Sequence, residues 1–264
     1  MPETGRSGIC ISYDDVGEGE PGLLFLAGWC APRSVFRPLL PLTSRHRRSL
    51  ALDWRGHGDS DAPSGDFGLS ELADDAEAVL DAAKVGSVVL FALAHAGWVA
   101  IELRKRLGER VRGIVLLEWY AMGAPEPFQE ALRGMQSPER WKQVVHSTFD
   151  RWLVGATDPD LVRFVREDMG AFDFAMWSRA AREIFTAFHR RPVPLEALSS
   201  LGASVLHMYS QPGDEAYLEA QRGFERGHPW FSVHRLHAQS HFPMFEVPTE
   251  IANLTEQFIG ELLR

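Results

Sequence analysis

The sequence predicts an α/β fold: a mostly parallel central sheet flanked by helices, with one helical cap insertion. Three observations predict it. Short, continuously apolar runs recur along the first half of the chain. Stretches of helical period separate them. The alternation stops near residue 123 and resumes near residue 196. Continuous apolar strands joined by helices belong to a sheet covered on both faces. The organisation that follows is a core of residues 1–122 and 196–264 with a cap of residues 123–195.

Each element has its own signal. Leu23, Leu24, Phe25, Leu26 and Ala27 form the first apolar run, stopped by Gly28. Val35, Leu39, Leu40 and Leu42 then give a short amphipathic stretch. A second run, residues 49–53, ends in a glycine-rich turn from Asp53 to Ser60. Leu72, Ala76, Val79, Leu80 and Ala83 recur at helical spacing. Residues 88–91 form the third strand, and a helix from Gly97 to about Leu107 follows. Residues 113–117 form the fourth. The insertion is helical in composition and rich in aromatic residues: Trp141, Trp152, Trp177, Phe149, Phe164, Phe172, Phe174, Phe185 and Phe188. Most of these are expected to pack the insertion itself, and a few to wall a pocket. Strand signals return at residues 204–209 and 231–236. A closing helix carries Ile251, Leu254, Phe258, Ile259 and Leu262 on one face, with Thr249 as its expected N-cap.

Composition narrows the function. A chain of 264 residues with 45% hydrophobic content suits one sizeable domain. Its net charge of -9 disfavours nucleic acid, whose phosphates it would repel. No apolar run approaches the ~20 residues of a membrane helix, and the first residues lack a signal-peptide profile. Cys10 and Cys30 are the two cysteines, too few for a disulfide framework. A cytoplasmic location is therefore expected.

Ligands of open α/β sheets sit beyond the carboxyl ends of the strands, so the residues there matter most. Gly28, Trp29 and Cys30 follow the first strand. Ala92, Leu93, Ala94, His95, Ala96 and Gly97 follow the third, where a G-x-S-x-G elbow would place a nucleophile between strand and helix. The central residue is Ala94, which has no atom able to attack. Glu118 closes the fourth strand, Asp214 follows the fifth, and His241 follows the last. The order of nucleophile, acid and histidine is kept with the nucleophile erased. His241 remains a competent general base, oriented by either Glu118 or Asp214. His234, His237 and His241 show no metal-ligand spacing, so no metal is expected. No G-x-G-x-x-G fingerprint follows a strand, so no flavin or nicotinamide is expected either.

These residues resemble a specific family. Gly28-Trp29-Cys30, the stretch from His95 to Val99, Glu118-Trp119, Pro138 to Trp141, Trp152-Leu153, Ser210 to Pro212, His228 to Ser232 and His241 to Pro243 are together similar to the α/β-hydrolase-fold, cofactor-independent 2,4-dioxygenases of 3-hydroxy-4(1H)-quinolones. The resemblance covers nearly the whole chain. It implies that His241 takes the proton of the substrate 3-hydroxyl and that Glu118 stands where the family usually has an aspartate. It implies that Trp29 and Cys30 belong to the substrate-contacting loop, that Ala94 and His95 lie near the bound ring and oxygen, and that Trp152 closes the pocket. The partners implied are a small aromatic heterocycle and O₂. Two departures stand out. Ala94 replaces the serine of better-known members, and Ala31 replaces a histidine that they can carry, making the wall less polar.

The chemistry this implies needs three things. Triplet O₂ reacts slowly with closed-shell molecules, but an electron-rich organic anion can reduce it unaided. The protein must supply a base, a dry pocket and donors for the developing oxyanion. Two other readings fit the same residues. One is a different base-catalysed enzyme, a lyase or a hydrolase using activated water. The other is a non-catalytic small-molecule receptor.

Overall fold

A computed structural model of the chain describes residues 3–6, 8–191 and 193–264. An antiparallel pair that the sequence reading did not identify comes first: β1 (Glu3–Arg6) and β2 (Ile9–Val16). The expected apolar runs follow as β3 (Gly22–Leu26), β4 (Ser49–Leu52), β5 (Val88–Leu93), β6 (Val111–Leu117), β7 (Ser204–Tyr209) and β8 (Phe231–Arg235). The strands form one sheet in the order β1-β2-β4-β3-β5-β6-β7-β8. From β4 through β3 to β8 every neighbouring pair is parallel.

The strand at the centre of this order shows why the apolar runs are continuous. Every residue of β3 and of β5 is buried, because helices cover both faces and no side is left for a polar residue. Each leucine, valine or phenylalanine so buried stabilises the fold by about 1.5–3 kcal/mol. Such a strand cannot be confused with the two-faced β2, whose ends are only partly covered.

Right-handed crossovers carry the chain between parallel strands. A one-turn helix α1 (Leu40–Thr43) lies between β3 and β4, α2 (Leu69–Ala82) between β4 and β5, and α3 (Ala96–Leu107) between β5 and β6. The side chain of Glu71 reaches back to accept the Gly68 N–H at 2.8 Å at the start of α2, satisfying a donor that the helix itself cannot. Between β6 and β7 lie α4 (Glu126–Met135), α5 (Trp141–Trp152), α6 (Pro159–Arg163), α7 (Phe174–Arg190) and α8 (Pro194–Ser199), with no strand among the described residues. Asp173 caps α7 by accepting the Met176 N–H.

Beyond β7 comes α9 (Glu215–Gly227), then after β8 α10 (Pro243–Glu246) and α11 (Pro248–Leu262). Two expectations change here. Asp214 is the N-cap of α9, accepting the Tyr217 N–H at 2.8 Å, a use that its sequence context did not suggest. Thr249 does not cap the last helix. Val247 holds that place, and Pro248 opens the helix, where its missing N–H costs nothing and its fixed φ already suits the helix.

Candidate active site

The carboxyl ends of β3, β5 and β6 share an uncommon backbone feature. The residue at each exit has a positive φ: Cys30 at 57°, Ala94 at 50° and Glu118 at 55°. For a residue with a Cβ this conformation carries strain of about 1–3 kcal/mol, and such strain concentrates at functional sites. Here it turns three chains sharply outward around one point. Gly97 makes the crowding possible, since a Cβ there would come within 2.7 Å of the Trp119 ring.

A chamber sits above these turns. Its floor holds Gly28, Trp29, Ala31, Ala94, His95, Glu118 and His241, and its roof holds Phe128, Met135, Trp152, Met169, Trp177 and Ile184 from the helices between β6 and β7. The wall is mainly apolar, which keeps water out and strengthens any charge inside. Of the nine insertion aromatics singled out in the sequence, Trp152 and Trp177 reach the chamber. Phe128, which the sequence reading passed over, reaches it as well. It lies in the first turn of α4, a strongly amphipathic helix whose periodicity was the signal available, and its ring stacks on His95 at 5.4 Å.

The polar centre is the pair Glu118 and His241. Glu118 is almost fully buried and its Oε2 accepts from His241 Nδ1 at 3.2 Å. Its remaining capacity is also filled. The Ser210 backbone N–H and hydroxyl donate to Oε1, the hydroxyl at 2.7 Å, and the Gln211 N–H donates to Oε2 at 3.3 Å. A buried carboxylate needs such donors to stay charged. With Nδ1–H committed to Glu118, His241 keeps its lone pair on Nε2, the arrangement a general base requires. This decides between the two acids left open by the sequence: Glu118 orients His241, and Asp214 caps a helix.

His241 is held from several sides. Its backbone N–H donates to the Trp152 carbonyl at 2.9 Å, and its ring lies nearly parallel to the Trp152 indole. The preceding Ser240 is fixed by Glu246, which accepts its N–H at 2.8 Å, and its carbonyl lies 2.6 Å from the Ser210 hydroxyl, whose single proton it shares with Glu118. The α5 helix end and the loop after β8 are therefore tied together at His241.

His95 is a different kind of histidine. Burial, and secondarily the charge of His241, push its pKa down to about 3. It stays neutral at ordinary pH and is a poor proton acceptor. Its ring is packed between Phe128 and Phe188.

Four backbone N–H groups lie in the turns around the chamber floor, and two of them are already spent. The Ala94 N–H is used by the Leu117 carbonyl at 2.7 Å, and the Cys30 N–H by His57 Nε2 at 3.0 Å. Among the described residues no protein group accepts the N–H of Trp29 or of His95. These two flank the chamber floor, one after β3 and one after the elbow, where a developing negative charge needs donors. Cys30 thus departs from the sequence expectation. Its side chain is fully buried, its N–H is spent, and it does not line the chamber. It acts one step back, shaping the turn that presents Trp29.

The turn from Asp53 to Ser60 supports that loop from below. His57 is buried, with a pKa lowered by desolvation to about 4. It donates from Nδ1 to the Arg55 carbonyl at 3.0 Å and accepts the Cys30 N–H at Nε2. Trp54 donates to the Ala27 carbonyl at 2.7 Å. The turn braces the loop that carries Trp29 and Cys30.

The remaining histidines stand apart. His234 and His237 both face Glu250, at 3.2 and 3.0 Å, on the far side of β8. They do not join His241, and no metal-binding cluster occurs among the described residues.

The sheet order, the strained turn after β5 and the acid–histidine pair define a protein of the α/β-hydrolase class. A model of the alpha/beta hydrolase family matches residues 23–254. The chain is 38% identical over 251 residues to the 2-heptyl-3-hydroxy-4(1H)-quinolone dioxygenase of Mycobacteroides abscessus, covering 93% of each. It is 31% identical over 263 residues to the 1H-3-hydroxy-4-oxoquinoline 2,4-dioxygenase of Pseudomonas putida, covering 98% of this chain and 99% of that one. A solved structure of an AqdC variant in complex with its substrate, from work on recognition and ring cleavage of the Pseudomonas quinolone signal, superposes with a TM-score of 0.94 at 34% identity, covering 98% of this chain and 99% of that one. The chain belongs to the alpha/beta hydrolase family and, within it, to the family of these 3-hydroxy-4-quinolone dioxygenases.

Proposed function

We propose that this chain cleaves the heterocyclic ring of a 2-alkyl-3-hydroxy-4(1H)-quinolone with O₂, releasing an N-acylanthranilate and carbon monoxide, with no metal or organic cofactor. One observation carries the reading. A base held by a buried carboxylate opens onto a closed aromatic chamber whose elbow residue, Ala94, has no nucleophilic atom. The relatives' names and the substrate complex of the AqdC variant point to the same substrate class.

His241 Nε2 takes the 3-hydroxyl proton, and Glu118 stabilises the imidazolium that forms. The resulting anion gives one electron to O₂, and the two radicals combine at C2. The peroxide oxygen then attacks the C4 carbonyl, where the N–H groups of Trp29 and His95 receive the charge. The O–O bond and both bonds to C3 break. C3 leaves as carbon monoxide with the original 3-oxygen. The two O₂ atoms remain in the amide carbonyl and the new carboxylate, and the electrons balance without an external reductant. Residues 123–195 form the cap, and Trp152 closes the chamber. The mainly apolar roof and the small Ala31 favour a long 2-substituent such as heptyl. The cytoplasm is the proposed location, supported by the unpaired state of Cys10 and Cys30.

The test is to incubate metal-stripped protein anaerobically with 2-heptyl-3-hydroxy-4(1H)-quinolone and then admit oxygen. Equal amounts of carbon monoxide and N-octanoylanthranilate are expected. Conversion without oxygen uptake would assign the pair to a hydrolase or lyase, and tight binding without conversion would assign the chain to a receptor.

A further inference from the structure

A second hollow abuts the chamber on its outer side. The two share Glu118, Tyr120, Phe128, Trp152 and His241, so they adjoin at the acid–histidine pair. One wall of this vestibule is apolar, formed by Pro125, Pro127 and Val154, and Val154 is among the most exposed large apolar residues of the protein. Arg151, the penultimate residue of α5, lines the hollow beside Val154, whose N–H donates to the Arg151 carbonyl at 3.3 Å.

Arg151 is the cation lining this vestibule, and among the described residues no carboxylate forms an ion pair with it. Its hydrogen bond is to the Thr148 hydroxyl, at 3.3 Å. The acids nearby are engaged elsewhere: Asp150 with Arg166, Glu126 with Arg133, Glu215 with Arg235, and Glu118 with the groups already described. Its guanidinium is near enough to Tyr120 to favour the phenolate, although burial dominates and holds that phenol above its ordinary pKa.

We propose that Arg151 and the apolar wall form a product subsite that binds an aromatic carboxylate. The inference rests on the proposed function. Ring cleavage turns a neutral heterocycle into an anion carrying a new carboxylate and an acyl chain. A guanidinium recognises a carboxylate through paired N–H donors, and the neighbouring Val154 with Pro125 and Pro127 offers apolar surface to the acyl chain. The substrate has no carboxylate, so the subsite discriminates product from substrate. It draws the anion away from Glu118, whose negative charge opposes its staying.

The test compares N-octanoylanthranilate with its uncharged methyl ester, with binding read by calorimetry on the unmodified protein and on Arg151→Gln and Arg151→Lys. The unmodified protein is expected to bind the acid about two- to fivefold more tightly than the ester, the range for a charge pair at an exposed residue such as Arg151. Arg151→Gln is expected to abolish that preference, and Arg151→Lys to keep part of it. In turnover, Arg151→Gln should raise the inhibition constant of the acid more than the KM of the quinolone. Equal binding of acid and ester by the unmodified protein, or an undiminished preference in Arg151→Gln, overturns the subsite. Quinolone turnover with no preference for the acid leaves the proposed function standing and removes the subsite alone. Failure to bind either ligand together with absence of turnover removes both.

Discussion

The imidazole of His241 lies 5.0 Å from the indole of Trp152, centroid to centroid, with their planes 15° apart. The contact joins two segments far apart in the chain, the loop after β8 and the end of α5. A second link, from the His241 N–H to the Trp152 carbonyl, keeps them in register. A flat aromatic neighbour limits the base to one ring orientation, keeps bulk water from that face, and favours a cation when the ring is protonated.

Replacing Trp152 should therefore harm catalysis more than folding, because the residue is only partly buried. Trp152→Ala is expected to lower kcat/KM by about 10- to 100-fold through loss of base alignment and entry of water. Trp152→Phe retains a flat apolar face and should recover most of the activity. Steady-state oxygen uptake on both variants checks this, and equal losses in the two would remove alignment as the cause.

The dyad itself predicts a larger effect. His241→Ala should reduce turnover by about 10²–10⁴, the usual range for loss of a general base. Glu118→Gln preserves the shape but removes the charge that stabilises the imidazolium, and a loss of about 10² or more is expected. Glu118→Asp keeps the charge on a shorter arm and should fall between Glu118→Gln and the unmodified protein. Carbon monoxide release by each variant gives the ranking. A Glu118→Gln enzyme at full speed would mean the carboxylate is structural.

Ala94 permits a direct test of the noncovalent route. Ala94→Ser restores a hydroxyl at the elbow, at the same positive φ, above an intact acid–histidine pair. Ring cleavage forms no acyl-enzyme, so it should persist within about tenfold. Quinolone turnover and mass spectrometry of the quenched protein check both parts. An obligatory covalent adduct in the serine variant, with ring cleavage abolished, would contradict the route.

Buried histidines set the acid limit of stability. His57 and His207 are each held neutral by burial, with pKa values lowered to about 4. In the unfolded chain a histidine takes up its proton near pH ~6.5. Between those values the unfolded state binds protons that the folded state refuses. Stability is therefore full above about pH 6.5, falls as the pH drops towards about 4, and levels off for these groups below that. Each contributes up to roughly 3 kcal/mol at the acid end. Urea midpoints at about pH 7.5 and about pH 5 should differ accordingly. His207 sits in β7, where it donates from Nδ1 to Gln221 at 2.5 Å, so His207→Gln should make the dependence shallower. A flat profile would show that these rings accept protons when folded.

Much of this protein is legible in one dimension. The largely apolar runs of β3 to β7 announce a doubly covered sheet, because a strand buried on both sides has little polar face to display. The acid, the histidine and the missing nucleophile follow from strand ends, because the sheet's carboxyl edge gathers whatever follows each strand. The β1–β2 pair and α9 went unread: β1 is a four-residue edge strand, and α9, though amphipathic, is mostly polar and buries little beyond Leu218 and Gln221.

The three-dimensional fold alone chose between Glu118 and Asp214, which the linear order left equal. One carboxylate lies 3.2 Å from the imidazole, and the other is spent on a helix end. It also moved Cys30 off the chamber wall, brought in Phe128, and left the N–H groups of Trp29 and His95 unclaimed. Such choices rest on hydrogen-bond partners and packing neighbours tens of residues distant. Local pattern records how a segment folds, and only the folded chain shows which atoms it meets.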